Sequence, residues 1–191
     1  MSVGLNNKQE FSSREIYTIS VAIYLFDNYG FNRVDVDLII KKANITKSIF
    51  YKYFESKEKL IEIVIKFQVE NLKMDISTII YNHFKNESIE TIREVYFLHI
   101  KYERSYSFLF KATLEIKNKY PKAYDFVAEY RKWVLNEIYK LIVKIKENLT
   151  IVDAFLLIFI IDGQVLDRVN VDYTENAEIK LNYFFRCIEL I

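Results

Sequence analysis

Ala43-Asn44-Ile45-Thr46-Lys47-Ser48-Ile49-Phe50-Tyr51-Lys52-Tyr53-Phe54-Glu55-Ser56-Lys57-Glu58-Lys59-Leu60 is the stretch that decides how this chain folds. Asn44 is one of the few non-glycine types that tolerates a positive φ, so it suits a tight turn after a helix. Thr46 can cap a new helix by accepting a backbone N–H from the first turn. That helix runs from Lys47 to about Tyr53, with Ile49, Phe50 and Phe54 as its apolar side. Ser56 caps the next helix, which opens Lys57-Glu58-Lys59-Leu60 and keeps a helical pattern to about residue 82. Upstream, Asp35 caps a short helix in which Val36, Ile39, Ile40 and Ala43 recur at helical spacing. Two helices of about eight residues joined by a three-residue turn make a helix-turn-helix.

Working outward, Phe11-Ser12-Ser13-Arg14-Glu15-Ile16 reads as a helix start. Ser12 and Glu15 have the spacing of a capping box, and Phe11 and Ile16 that of a hydrophobic staple. Ile16, Ile19, Ala22, Ile23 and Phe26 form the expected apolar face, and Gly30 supplies a left-handed residue that stops the helix. The residues before Phe11 are polar and expected to fray. Beyond residue 88 helical patterns run over 88–103, 106–118, 122–147, 150–168 and 174–190, with Pro121 fitting the first turn of the third. Short connections make neighbouring helices antiparallel.

The composition agrees. Three Gly and one Pro in 191 residues leave too few turn formers for a sandwich, barrel or doubly wound sheet. The expected fold is all-α with about nine helices: an N-terminal three-helix helix-turn-helix domain over 12–72 and a C-terminal helical domain over 73–191. Gly4, Gly30 and Gly163 cannot build a phosphate-cradling loop. Cys187 is alone, so neither a disulfide framework nor a cysteine zinc site is expected. His83 and His99 lack an HExxH pattern, and GxSxG and the ExxH of a di-iron bundle are absent as well. The expectation is no enzyme, no metal and no cofactor. The apolar run Ala154 to Ile161 is too short to span a bilayer, and no charged-then-apolar leader opens the chain, so a cytoplasmic protein without membrane contact is expected.

Charge is nearly silent. The chain has 27 Lys and Arg against 26 Asp and Glu. Residues 1–60 hold nine basic and seven acidic side chains, and the remainder eighteen and nineteen. Nucleic-acid binding is suggested only by where the charges sit. A helix lying in the major groove presents its first turn and one face to base edges. Lys47 and Ser48 occupy that first turn, Tyr51 and Lys52 follow one turn later, and Lys57 joins its charge to a helix N-terminus that attracts phosphate.

The stretch from Ala22 to Leu60 resembles the TetR family of bacterial transcriptional regulators. Its resemblance lies in Ala22, Leu25-Phe26, Gly30-Phe31, Val36, Ile39, Ala43 to Ser48, Phe50 to Phe54 and Ser56 to Leu60. It implies a DNA interface that includes Asp35, Thr46, Lys47, Ser48, Ile49, Tyr51, Lys52, Tyr53 and Lys57, a homodimer on a palindromic operator, and a C-terminal domain for effector binding and dimerisation. Three positions depart from the family pattern. Asp35 stands where Thr is usual, placing a carboxylate near an expected phosphate; Asn44 replaces the turn Gly; Ser48 replaces a small Gly or Ala.

For the dimer interface the positions are Phe155, Phe159, Gly163 and Leu166 on a helix apolar nearly all round, and Leu181, Phe184, Phe185 and Ile188 on the last, with Cys187 as a small hydrophobe in the same packing. Candidate effector residues fall on helix faces: Tyr96, His99 and Glu103; Tyr106 and Phe110; Phe126, Tyr130, Trp133 and Glu137. Aromatics with a few polar groups suit a small apolar, aromatic or cationic effector. They equally suit a plain core, with His99 a satisfied core histidine. The expectation is a dimeric regulator, a repressor released when its effector shifts the helix that starts at Lys57. Two alternatives stay open: an effectorless member that docks a protein partner, and a lipophile-binding module with weak DNA binding.

Overall fold

The computed structural model describes residues 11–82, 88–100, 105–167 and 173–188. Among the described residues there are nine helices and no strand: α1 (Ser13–Tyr29), α2 (Val36–Ala43), α3 (Lys47–Phe54), α4 (Lys57–Asn82), α5 (Ser88–Ile100), α6 (Ser105–Glu115), α7 (Pro121–Ile145), α8 (Ile151–Asp167) and α9 (Tyr173–Cys187). The expected all-α class holds. The chain divides after Val64 into two compact units, and α4 begins in the first and continues in the second.

Local chemistry sets the helix ends of the first unit. The Glu15 carboxylate accepts from the Ser12 backbone N–H at 2.8 Å, and Ser12 Oγ accepts from the Glu15 N–H at 3.4 Å, completing the capping box. At the other end Gly30 has φ 86° and ψ 153°. This is not the left-handed helical cap expected of it but a region open in practice only to glycine. The turn brings Phe31 back onto Phe26, with ring centroids 5.1 Å apart. That stacking fixes which side of α1 faces inward. Thr18, Ile19, Ala22, Leu25 and Phe26 are buried, whereas Ile16 is exposed and Ile23 half-buried, so the expected stripe is rotated and the staple position is not a core position. Thr18 is buried at no polar cost because its hydroxyl donates to the Arg14 carbonyl at 2.8 Å.

The second unit is built around α7, which packs on α5, α6 and α8, while α8 also packs on α9. Val127, Tyr130, Val134, Ile138, Leu157, Ile161, Leu181 and Phe184 are among its buried side chains. Each such apolar side chain contributes about 1.5–3 kcal/mol when fully withdrawn from water.

Three expectations about this unit change. Leu181, Phe184, Phe185 and Ile188 are buried within the unit itself, because the apolar stripe of α9 is what fastens it to its neighbours. Cys187, one position off that stripe, is exposed rather than packed. And α8 is not buried all round: Ala154, Leu157, Ile158 and Ile161 face inward, while Val152, Phe155, Leu156 and Phe159 are exposed. Glu103 lies outside the described residues, as do the residues before Phe11.

Candidate nucleic-acid interface

Three caps and one left-handed residue position the helix-turn-helix. Asp35 Oδ1 accepts from the Leu38 N–H at 2.7 Å and starts α2. Asn44 ends it at φ 52° and ψ 49°, the left-handed conformation its side chain tolerates. Thr46 Oγ1 accepts from the Ile49 N–H at 3.3 Å and starts α3. Ser56 Oγ accepts from the Lys59 N–H at 3.1 Å and starts α4. Between the last two, Glu55 has φ 60° and ψ −46°, and the Ser56 N–H turns back to the Phe54 carbonyl. A positive φ at a glutamate is strained, and nothing in the composition of this turn announces it.

Two opposite faces result on α3. Phe50 and Phe54 are fully buried, with their rings 5.4 Å apart. Lys47, Ser48, Tyr51 and Lys52 are exposed, and Ile49 and Tyr53 are half-buried at the border. Tyr51 stands 44% exposed although its ring meets Phe50 edge-on at 5.4 Å, so the side chain is braced against the core while much of it stays open to solvent. At the helix start the Lys47 and Ser48 N–H groups have no partner within the helical ladder, which is the general condition of a first turn. An outward face with two ammonium groups, two hydroxyl groups and a positive helix end is suited to phosphates and base edges.

The neighbouring carboxylates are arranged as follows. Asp35 is tied to its cap. Asp37, on the first turn of α2, lies 3.9 Å from Lys47 Nζ. Lys59 is held by Glu62 at 3.1 Å, which draws it along α4. Lys57 stands half-buried at the first position of α4. The Asp37–Lys47 pair was not foreseen, since residues ten apart across a turn give no periodic signal.

Residues 19–64 match the family model described as bacterial regulatory proteins, tetR family, and so cover the whole helix-turn-helix. The match gives this chain a tetR-family helix-turn-helix segment. Among solved structures it is similar to a TetR-family transcriptional regulator from Streptomyces coelicolor, at 15% identity and TM-score 0.80, covering 95% of this chain and 94% of that one. It is also similar to the fatty acid degradation regulator FadR from Bacillus halodurans, at 15% identity and TM-score 0.75, over 92% and 96% of the two chains. FadR from Bacillus subtilis, solved in complex with stearoyl-CoA, matches at 20% identity and TM-score 0.68, over 88% and 96%. At such identities these likenesses speak for the fold. No curated protein matches the chain in sequence. The matched helix-turn-helix segment and the shared fold support a DNA-binding regulator.

In the second unit, four of the aromatic candidates stand close together. His99 and Tyr106 meet edge-on at 4.7 Å, and Tyr130 is 6.3 Å from both His99 and Tyr106. Trp133 lies 6.3 Å from Tyr130, under the ammonium of Lys73. Tyr96 is tied elsewhere, its hydroxyl donating to the Ala177 carbonyl at 3.0 Å. Phe110 and Phe126 are half-buried, and Glu137 is paired with Lys140 at 2.7 Å.

The polar bonds of the cluster have fixed directions. The Val95 carbonyl, 2.6 Å from His99 Nδ1, can only accept, so Nδ1 carries the proton and Nε2 accepts from the Tyr130 hydroxyl at 2.8 Å. Burial pulls the His99 pKa down to about 4, against the backbone bond to Val95, so the ring is neutral near pH 7. Burial likewise pushes the Tyr106 and Tyr130 hydroxyls up and keeps them donors.

Two residues the sequence reading did not single out complete the cluster. Arg131 and Asp162 form a two-bond fork at 2.6 and 3.1 Å, and Arg131 also donates to the Tyr106 hydroxyl at 2.8 Å. Tyr106 in turn donates to Asp162 at 2.6 Å. Burial works against the Arg131 charge, but the bonds to Asp162 and Tyr106 outweigh it and hold the guanidinium protonated. Asp162 did carry a signal: a carboxylate just after an eight-residue apolar run must find a partner when its helix packs.

Proposed function

We propose that the protein is a dimeric, cytoplasmic repressor that reads a palindromic operator and is released by a small, largely apolar or aromatic effector. The observation that carries the DNA half of this reading is the two-sided α3: Phe50 and Phe54 anchor it while Lys47, Ser48, Tyr51 and Lys52 face outward. Lys47, Ser48 and Ile49 read bases. Tyr51, Lys52, Tyr53 and Lys57 hold phosphates, and Thr46 and Asp35 orient the two helix starts.

One helix-turn-helix makes too few contacts to select a genomic site, so two are needed on two-fold half-sites. Support for a dimer comes from α8. Val152, Phe155, Leu156, Phe159 and Leu166 are exposed at helical spacing, with Phe155 44%, Phe159 66% and Leu166 60% open to solvent. Gly163 lies among them, and a Cβ there would meet nothing within 4 Å in the protomer. Close approach of a second α8 gives that glycine a reason. On α9 the outward residues are Ile179 and Tyr183, in place of the buried Leu181, Phe184, Phe185 and Ile188.

For the effector the reading rests on the Tyr96, His99, Tyr106, Phe110, Phe126, Tyr130, Trp133 and Glu137 region, with Glu103 retained from the sequence. FadR from Bacillus subtilis, which shares the fold, was solved with stearoyl-CoA, so the fold is able to hold an acyl compound. Effector binding shifts α4, which enters both units, and alters the separation of the two recognition helices.

The test is selection of bound duplexes from a random pool at moderate salt, with Tyr51→Ala/Lys57→Ala as the control protein. A palindrome recovered only by the wild type is the expected result. Recovery of nothing, or of the same duplexes by both proteins, contradicts the reading.

A further inference from the structure

We propose that Asp37 is a base-reading residue, which together with Lys47 reads one G·C pair in each half-site. This rests on the DNA-binding role of α3 proposed above. Asp37 Oδ1 and Lys47 Nζ lie 3.9 Å apart, with side chains 81% and 67% exposed. An ion pair so open to water adds little to stability, so the fold does not require it. Asp35, two residues earlier, differs: its carboxylate is turned onto its own helix end by the Leu38 N–H.

When α3 enters the major groove the Lys47 ammonium goes in with the first turn, and a carboxylate 3.9 Å away goes with it. Facing phosphates, Asp37 would only repel. The groove floor offers it hydrogen-bond donors at cytosine N4 and adenine N6. Guanine O6 and cytosine N4 hydrogen-bond each other, so they sit side by side about 2.9 Å apart. An ammonium and a carboxylate 3.9 Å apart therefore present a donor and an acceptor to a neighbouring acceptor and donor, with little adjustment.

The order of groups across the pair gives the selectivity. A G·C pair shows N7 and O6 acceptors followed by the N4 donor. Lys47, with three N–H groups, takes the two acceptors and Asp37 takes the donor. An A·T pair interposes its donor between two acceptors and adds a methyl group. In the same register the carboxylate would lie against thymine O4, an acceptor, or, with the pair reversed, the ammonium against the thymine methyl.

The experiment measures equilibrium binding of wild type, Asp37→Ala, Asp37→Asn and Lys47→Ala to the recovered duplex and to a panel in which each half-site base pair is replaced in turn. Asp37→Ala is expected to lose about tenfold of discrimination at a single G·C pair, the same pair at which Lys47→Ala loses it. Asp37→Asn should move the preference there towards adenine, because a carboxamide matches adenine N6 and N7. Thermal unfolding midpoints close to wild type show that the exposed substitutions leave the fold intact. Equal change on every duplex, or loss at a pair different from that of Lys47→Ala, overturns the proposal while leaving the DNA-binding role of α3 standing. A wild type without sequence preference overturns both.

Discussion

Gly30, Asn44 and Glu55 all have positive φ, at 86°, 52° and 60°, yet they differ in what the sequence discloses. Glycine and asparagine are the types expected at such positions, and both turns could be read from sequence. Glu55 could not, because glutamate carries no preference for that conformation and the turn is imposed by the buried Phe54 before it and the Ser56 cap after it. Asn44→Val should destabilise the protein by about 1–2 kcal/mol in urea unfolding, since a β-branched side chain is excluded from the left-handed region. Asn44→Gly should be nearly neutral. His99 gives a second expectation. Its folded pKa of about 4 lies below the unfolded value of 6.5. Above pH 6.5 the ring is neutral in both states. As pH falls from 6.5 towards 4 only the unfolded state takes up the proton, so stability drops by about 3 kcal/mol across that window. Unfolding midpoints measured against pH should show this fall, and His99→Gln should flatten it.

Helix starts were legible at the scale of the element because capping is local: Ser12, Asp35, Thr46 and Ser56 each bond within three residues. Which face of a helix turns inward was less so. Ile16 fits the periodicity of α1 but is exposed, and the apolar excess of α8 hides an inward and an outward stripe. Periodicity counts apolar residues; only packing decides which of them are core and which remain for a partner. The bond between α7 and α8 shows the same limit, because Arg131 and Asp162 are 31 residues apart. Asp162→Ala should cost about 3 kcal/mol by leaving a partly buried guanidinium uncompensated. Arg131→Met combined with Asp162→Leu should recover most of that loss, as a double-mutant cycle in denaturant will show. Gly163 tests the outward stripe. Gly163→Ala should stabilise the protomer by up to about 1 kcal/mol through helix propensity, whereas Gly163→Phe should shift sedimentation from dimer towards a 23.0 kDa species.

Over the whole molecule, the helix-turn-helix was readable down to its caps, and the second unit as helix ranges without the way they pack. The difference is physical. A helix-turn-helix is specified by caps, a turn residue and two aromatic anchors that lie within 22 residues, Asp35 to Ser56. The second unit is specified by which of many similar apolar faces meet, and by the five-residue polar cluster that four helices assemble. The near-zero net charge gave no hint of DNA, because the relevant positive groups are few and gathered at α3 and the start of α4. The division of labour among them is the central claim, and the direct measurement is equilibrium binding across a range of salt, for wild type, Lys47→Ala and Lys57→Ala, on the recovered palindrome and on a scrambled duplex. Lys57→Ala should weaken both duplexes by the same factor and flatten the salt dependence by about one unit of slope. Lys47→Ala should narrow the gap between the two. If Lys47→Ala instead weakens both duplexes equally, α3 does not read sequence through its first turn.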